Sequence, residues 1–213
     1  MEYNFKGTDL ELIFGNKTKR EIEEIIKDLK QKAETSDRIT INIQFSLFLG
    51  KLYQYGFGVK KDYKESIKWY KKALKLMSRK NKDSDLTKNI EYVIGIIYLE
   101  DDYGLELNSQ EALKFLNKAK EHGSIEALYK LGCLYRDGDI EGFEKNYQKA
   151  IDFFEEAHKK DHAEAMYELG LFYYSGVGVD LDEKKAIELF KKSKAKGNIR
   201  AEIILDLISS EIE

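Results

Sequence analysis

The chain has 213 residues, of which 42% are hydrophobic and 35% are charged, with no proline and a single cysteine. A formal net charge of −3 at pH 7 gives no field that would recruit DNA or RNA, and one cysteine excludes an intramolecular disulfide framework. No stretch approaches the ~20 apolar residues that a membrane helix needs, so we expect no membrane partner.

The N-terminal segment, residues 1–40, is predicted to contain one capping helix. Its start has no basic region followed by an apolar run, so we expect no signal peptide. The spacing of residues 17–34 matches the second helix of the repeat described below, which predicts a half-repeat that covers the N-terminal end of the array. Residues 1–16 either pack on this cap or form a short appended element. The apolar face of the predicted helix contains Ile22, Ile25, Ile26, Leu29 and Ala33.

The stretch 49–73 has the pattern of a complete helix–loop–helix unit. Gly50, in the middle of the first helix, indicates close approach of another helix. Gly56 predicts the end of the first helix, since glycine accepts the left-handed conformation of a C-terminal stop. Asp62 and Glu65 have the spacing of a capping box at the start of the second helix. The apolar stripe of that second helix contains Ser66, Trp69, Tyr70 and Ala73.

This unit recurs three times along the chain. Aligned on the mid-helix glycine, the four copies are separated by periods of 45, 37 and 38 residues. An aliphatic residue precedes each glycine, and a tyrosine follows it three positions later. A fixed period of this size with helical patterning is typical of an α-solenoid. The aligned glycines are Gly50, Gly95, Gly132 and Gly170.

A polar insertion explains the longer first period. It lies between Met77 and Lys88, and we expect it to be a mobile loop. At the other end of the array, Gly197 and Asn198 are predicted to stop the last repeat. A C-terminal capping helix then follows, with one amphipathic set at Ile199, Ile203, Ile204, Leu207 and Ile208.

These residues resemble the Sel-1-like repeat family, a relative of the tetratricopeptide repeat. The fourth copy, Ala165 to Gly197, matches the family pattern most completely. The loop between the two helices departs from that pattern at 101–104 in the second copy and at 138–142 in the third. The resemblance implies an all-α, right-handed superhelical solenoid of about eleven helices in antiparallel pairs. Four repeats would occupy residues 41–198 and the cap residues 199–213, within one structural domain.

Few residues are candidates for catalysis or metal binding. His158 and His162 have a metal-binding spacing, but Lys159 to Asp161 predicts a turn that separates them. Cys133 has no predicted histidine partner, so we interpret it as a partly buried thiol. The glycines of 56–58 and 176–178 end helices and do not follow strands, which argues against phosphate-binding loops. We therefore expect no catalytic residue, no metal and no cofactor.

The resemblance also implies where a partner binds, since the first helices of tetratricopeptide-type arrays line a concave face. The positions three before and one, four and five after the repeat glycine point into that face. Tyr55, Arg136 and Tyr174 are the strongest candidates, because the family pattern does not account for them and their types are enriched in hot spots. We expect Arg136 and Tyr174 to lie outside the interhelical packing. The predicted partner-binding residues are Tyr55, Tyr92, Glu100, Tyr129, Arg136, Asp137, Tyr167 and Tyr174.

The alternative for Tyr92, Tyr129 and Tyr167 is that they only pack between adjacent repeats. Either way, Glu100 and Asp137 add negative charge to the predicted face and disfavour nucleic acid, whose phosphates would meet carboxylates. The face instead suits a folded protein or a peptide with basic groups.

Three functions are compatible with the sequence. The first is a non-catalytic interaction module, for example a bacterial cytoplasmic adaptor, that binds a partner protein or peptide through the concave face. The second is an immunity protein that neutralises a cognate toxin, since small proteins of the resembled family occur beside secreted toxins. The third, a hydrolase or a binder of cell-wall fragments, is disfavoured by the lack of a convergent acid, base and nucleophile and by the missing signal peptide.

Overall fold

The structure is a computed structural model that describes residues 15, 17–79, 84–103, 105–138 and 140–210. Within these ranges the chain forms ten α-helices and no β-strand, which confirms the predicted all-α class. None of these ten helices is long and apolar enough to cross a bilayer. They are α1 (Lys19–Thr35), α2 (Ile39–Tyr55), α3 (Tyr63–Ser78), α4 (Ser84–Ile97), α5 (Ser109–Glu121), α6 (Ile125–Asp137), α7 (Tyr147–His158), α8 (Ala163–Ser175), α9 (Glu183–Ala195) and α10 (Ile199–Ser210).

The loop of each repeat is closed by one recurring backbone hydrogen bond. The residue that caps the second helix donates its N–H to the carbonyl of the tyrosine three positions after the repeat glycine. This bond is kept in the second and third copies, where the tyrosine and the capping residue are ten and eleven positions apart, against nine in the first and fourth. The donor–acceptor pairs, at 2.7–2.9 Å, are Asp62 with Tyr53, Asn108 with Tyr98, Asn146 with Tyr135 and Asp182 with Tyr173.

The capping box predicted at Asp62 and Glu65 is half formed. The Asp62 carboxylate accepts from the Glu65 N–H at 3.0 Å, but the Glu65 carboxylate accepts from Lys68 Nζ at 2.8 Å. The reciprocal bond is missing because the Asp62 N–H already donates to the Tyr53 carbonyl. A complete capping box instead starts α1, where Thr18 and Glu21 exchange bonds.

The close approach predicted at the mid-helix glycines is confirmed in three repeats. In each, an aromatic ring from the second helix lies directly over the glycine of the first, so that a Cβ atom would collide with the ring. A Cβ built on Gly50 would be 2.6 Å from Tyr70, and one built on Gly132 would be 2.5 Å from Phe154. Phe190 covers Gly170 in the same way.

The chain divides into two compact units at Phe115/Leu116. In unit 1, α1 packs on α2 and α3 through Ile26, Leu29 and Ala33. A second cluster joins α2, α3 and α4, with Ile43, Met77 and Ile94 at its centre. The prediction for residues 1–16 lies outside the described residues, apart from Gly15, and the single-domain assignment remains a prediction.

The predicted loop between Met77 and Lys88 is wrong in most of its length. Helix α3 continues to Ser78 and α4 begins at Ser84, while residues 80–83 lie outside the described residues. Asp85 sits in the first turn of α4, where a carboxylate opposes the helix dipole, and it pairs with Lys88 at 2.7 Å. The inserted residues therefore extend α3, which has 16 residues against 12 or 13 in the other second helices. They also extend the start of α4, which begins eleven residues before Gly95, whereas α6 and α8 begin seven residues before their glycines.

In unit 2, α6 to α9 form two stacked repeats. Leu128, Phe154, Leu169 and Phe172 are buried between α6, α7 and α8, and Phe190 with Ala186 joins α9 to α8 and α10. The C-terminal helix α10 packs here through Ile204, Leu205 and Ile208.

The single amphipathic set predicted for α10 is wrong for three of its five members. Ile199, Ile203 and Leu207 are 70%, 55% and 54% exposed. At about 100° per residue, positions spaced by four follow a face roughly opposite the buried Ala201. Helix α10 therefore has two apolar faces, of which only one is packed.

Candidate partner-binding surface

In unit 2 the predicted partner-facing positions lie on the first helices α6 and α8. These helices start in the same register, because Ser124 and His162 cap them by accepting from the N–H of Ala127 and Ala165 at 3.1 and 3.2 Å. Six of the eight side chains at these positions are half-buried and two are exposed. We call this set the first-helix face: Tyr129, Cys133, Arg136 and Asp137 on α6, and Tyr167, Leu171, Tyr174 and Ser175 on α8.

An ion network centred on Glu168 links the first helices. Glu168 is buried, with 3% of its side chain exposed, and its Oε2 accepts from Arg136 Nη1. Its other oxygen lies 3.5 Å from Arg200 Nη1 at the start of α10. Arg136 also donates through Nε and Nη2 to both oxygens of Asp137, at 2.7 and 3.0 Å. Two cations and two carboxylates are thus held together with no net charge.

The prediction that Arg136 lies outside the interhelical packing is therefore wrong. Its guanidinium bridges α6 to α8, and the bonds to Asp137 and Glu168 raise its pKa above the ordinary value. A side chain fixed by three hydrogen bonds loses little further rotamer freedom when a partner binds. Asp137, which is exposed, presents its carboxylate in a fixed position beside it.

Tyr129 joins this network from the same side of α6, two turns before Arg136. Its ring stacks on the His162 ring at 4.9 Å between centroids and lies 5.8 Å from the ring of Phe154. Burial raises the pKa of Tyr129 to about 12, and its hydroxyl contacts Cys133 and Arg200. Tyr129 thus packs between adjacent repeats and still reaches the surface with its polar end.

Tyr167 and Tyr174 lie along α8 on the same face. Both rings approach Phe190, at 5.7 and 6.4 Å between centroids. The guanidinium of Arg200 lies over the Tyr167 ring at 4.6 Å. Tyr174 is half-buried and packs on the cluster that contains Phe190, so the prediction that it lies outside the interhelical packing is wrong. The structure therefore brings Tyr129, Arg136, Asp137 and Tyr167 into one connected set through Glu168 and Arg200.

The three predicted residues of unit 1 are spread over two elements. Tyr55 ends α2, is 59% exposed, and has Phe57 as a ring neighbour at 5.9 Å. Tyr92 lies half-buried within α4, and the exposed Glu100 follows the end of that helix. In unit 1 the predicted residues thus lie at separate places along the chain, whereas in unit 2 they form a continuous patch.

Sequence reasoning missed Glu168 and Arg200. Glu168 lies two positions before the repeat glycine, where the other copies have Phe48, Val93 and Lys130, so the position itself gives no signal. Arg200 follows the last repeat and belongs to none of the aligned positions. Arg136, Glu168 and Arg200 are each 32 residues apart, a spacing that differs from the repeat period.

The candidates for metal or nucleophile chemistry have structural roles. His162 uses Nδ1 to cap α8, while burial, followed by the charge of Lys192, lowers the pKa of His158. Burial raises the pKa of the Cys133 thiol, which works against a thiolate nucleophile. Among the described side chains, no group of three or more His, Cys, Asp or Glu could hold a metal ion.

Helix pairs in register, glycines covered by aromatic rings and recurring loop bonds define an α-solenoid repeat protein. The Sel1 repeat matches residues 46–76, 91–124, 125–162 and 163–198, which together make up more than half of the chain. The chain belongs to the Sel1 repeat family, and the predicted resemblance is confirmed. Proteins built from Sel1 repeats are generally non-catalytic scaffolds for protein–protein interaction.

Solved structures of similar fold include a Sel1 repeat protein from Oxalobacter formigenes, with 29% identity, a TM-score of 0.64, and coverage of 88% of this chain and 74% of that one. Another is c5321, a protective antigen of uropathogenic Escherichia coli with an SLR fold, with 22% identity and a TM-score of 0.62, covering 93% of this chain and 42% of that one. Immunity protein Pa5087 from Pseudomonas aeruginosa is 21% identical, with a TM-score of 0.45 over 85% of this chain and 68% of that one, a likeness too remote to bear on function. No curated protein matches the chain significantly.

Proposed function

We propose that this chain is a non-catalytic interaction module whose first-helix face binds a partner protein or peptide, in the role of a bacterial adaptor. The observation that carries the proposal is the patch in unit 2, where tyrosines, leucine and a fixed arginine remain half-buried in the described part of the chain. Tyrosine and arginine are the residue types that dominate binding hot spots.

Preorganisation supports the same proposal. Tyr129 is held between His162 and Phe154, and Arg136 is held by Asp137 and Glu168. Side chains that are ordered before binding reduce the entropy lost on association, so a small surface reaches useful affinity. A single cysteine in 213 residues suits a reducing compartment, so a cytoplasmic location is part of the proposal.

The test is a truncation of Tyr174, because Arg136 also supports the fold. Partner proteins are captured on the immobilised wild-type chain, identified, and titrated by calorimetry against each variant. We expect Tyr174→Ala to weaken binding by ~2 kcal/mol or more, the scale of a hot spot. Tyr174→Phe keeps the contact with Phe190 and separates the hydroxyl from the ring.

Lys75→Ala on α3 and Lys191→Ala on α9 serve as matched controls, since both lysines are exposed on second helices. These controls should leave affinity unchanged. If the lysine substitutions weakened binding and Tyr174→Ala did not, the proposal would be contradicted and the partner would be placed on the second helices. A captured partner that proves to be a toxin encoded beside this chain would assign the immunity role instead of the adaptor role.

A further inference from the structure

Helix α10 has the local structure of a third first helix in unit 2. Asn198 caps it by accepting from the Ala201 N–H at 3.2 Å, as Ser124 does with Ala127 and His162 does with Ala165. All three alanines are fully buried. This equivalence aligns α10 with α8 residue by residue, at an offset of 36 from Ala165 to Ala201.

The side of α10 on which a second helix would pack is polar. In α8 the residues that face α9 include Met166, Gly170 and Tyr173. The aligned residues of α10 are Glu202, Asp206 and Ser209, all exposed. This is the substitution expected of a terminal helix, whose outer face must meet water. Stacking of a second copy on this side would bury the carboxylates of Glu202 and Asp206, so end-to-end dimers are disfavoured.

Two positions in the register of the first-helix face, in contrast, are apolar on α10, while Ser210 aligns with Tyr174. Ile203 aligns with Tyr167 and Leu207 aligns with Leu171, and Ile199 lies one turn before Ile203. All three are more than half exposed. Single exposed apolar residues are ordinary, but a row of three that continues an existing patch marks an interaction surface. A helix side that only faces water is expected to be polar, as the neighbouring side of α10 is, so exposure to solvent does not explain the apolar row.

We infer that the partner-binding surface of unit 2 extends across α10, and that its occupant is an amphipathic helix of a partner protein with an acidic residue beside its apolar stripe. This inference rests on the proposed function. The apolar rows of α8 and α10 run along two neighbouring first helices, which Arg200 connects through Tyr167 and Glu168. A groove between two helical ridges accepts a third helix.

A helix fits this surface better than an extended peptide. An extended peptide has unpaired backbone N–H and C=O groups, which need side-chain partners when they are buried. The α10 row of Ile199, Ile203 and Leu207 has no side-chain polar group that could pair with them. A helix satisfies its backbone internally and needs only apolar contact.

Arg200 determines the charge of the occupant. Just over half of its side chain is exposed, and its guanidinium lies 4.6 Å from the centroid of the Tyr167 ring, at the edge of the apolar row. Arg200 also bonds to the Tyr129 hydroxyl and lies 3.5 Å from Glu168, which leaves its other donors for a partner. Arg136 makes three hydrogen bonds to Asp137 and Glu168, and it neutralises the Asp137 carboxylate from which basic groups on the partner are predicted. A guanidinium stacked on an aromatic ring presents its remaining donors in the plane that a carboxylate fits.

The experiment selects peptides from a phage-displayed random library on the full-length chain and titrates them against variants. The expected peptides carry apolar residues at helical spacing with an aspartate or glutamate, and they become helical on binding. Ile203→Glu should weaken binding by more than about tenfold. Ser209→Glu is the matched control, since it adds the same charge to the polar side of the same helix and should have no effect.

The acidic residue is tested by a double-mutant cycle. Replacing the acidic residue of the peptide with its amide should weaken binding to the wild-type chain but leave binding to Arg200→Gln unchanged. Equal losses of affinity on both chains would overturn the assigned charge. Peptides that respond to Tyr174→Ala but not to Ile203→Glu would overturn the extension and leave the proposed function standing. Peptides that respond to neither substitution would contradict both the extension and the proposed function. A selection without helical peptides would overturn the helical occupant alone. A dimer in light scattering that Ile203→Glu dissociates would make a second copy the occupant.

Discussion

The residue that most constrains each repeat is the glycine in its first helix. In isolation, alanine would be the better helix former at Gly170 by about 1 kcal/mol. The ring of Phe190 reverses this preference, because it occupies the space that a Cβ atom would need. The glycine is therefore retained for interhelical distance, at the expense of helix propensity.

Gly170→Ala should destabilise the protein by ~1–3 kcal/mol, the range of overpacking in a filled core, as measured by urea unfolding. Phe190→Leu in the same chain makes room, so the double variant should lose less than the sum of the two single variants. Additive losses would show that ring and glycine are not in contact.

A second residue-scale prediction concerns Glu168. Glu168→Gln removes the charge that both arginines share, and it turns an amide N–H₂ toward guanidinium donors. Hydrogen bonds to charged groups contribute roughly 1.5–3 kcal/mol, so we expect a loss of about 2 kcal/mol in unfolding free energy. Glu164→Gln, one turn earlier and exposed, is the control and should change stability by less than about 0.5 kcal/mol. Equal effects of the two substitutions would mean that the network does not stabilise the fold.

Among the elements, α10 depends most on its cap. Its buried side consists of Ala201, Ile204, Leu205 and Ile208, a narrow contact for a terminal helix. Asn198, only 8% exposed, fixes where this helix starts, and Gly197 at φ 91° turns the chain into it. The two residues predicted to stop the last repeat therefore also start the final helix.

Asn198→Ala should cost about 1 kcal/mol, because it leaves the Ala201 N–H without its acceptor. The loss should appear as faster amide exchange within α10. Ser209→Ala is the control, since the Ser209 hydroxyl only donates to the Leu205 carbonyl within the same helix. Unchanged exchange in α10 of Asn198→Ala would show that packing alone holds the helix.

The helices and their pairing were predictable because their determinants are local. Glycine and capping residues specify helix ends, and the repeat tyrosine specifies the loop bond even where the loop sequence varies. The failures are spatial. The polar insertion after Met77 predicts a loop, but it extends α3 and the start of α4. The isoleucine spacing in α10 predicts one apolar face, because a helical set does not reveal which side is covered.

The candidate surface was predictable only in part, for the same reason. Tyr129, Arg136 and Tyr167 were chosen by position in the repeat, and the structure connects them. Their connection runs through Glu168 and Arg200, whose spacing follows the packing of helices and not the sequence period. Pairing across repeats depends on side-chain direction, which a one-dimensional alignment does not contain.

At the scale of the whole molecule, the repeat architecture predicts that stability is local. Each repeat contacts its neighbours only, so the free energy is approximately a sum of repeat and interface contributions. A variant in the last repeat should then leave distant repeats unaffected, unlike a variant in a globular domain that unfolds as one unit.

Gly170→Val tests this expectation by hydrogen exchange. The larger side chain meets Phe190, so we expect faster exchange in α8, α9 and α10. Protection in α1, α2 and α3 should stay at the wild-type level. Gly50→Val, which meets Tyr70, is the mirror variant and should give the reverse pattern. Uniform acceleration along the chain by either variant would show that the protein opens as a single cooperative unit.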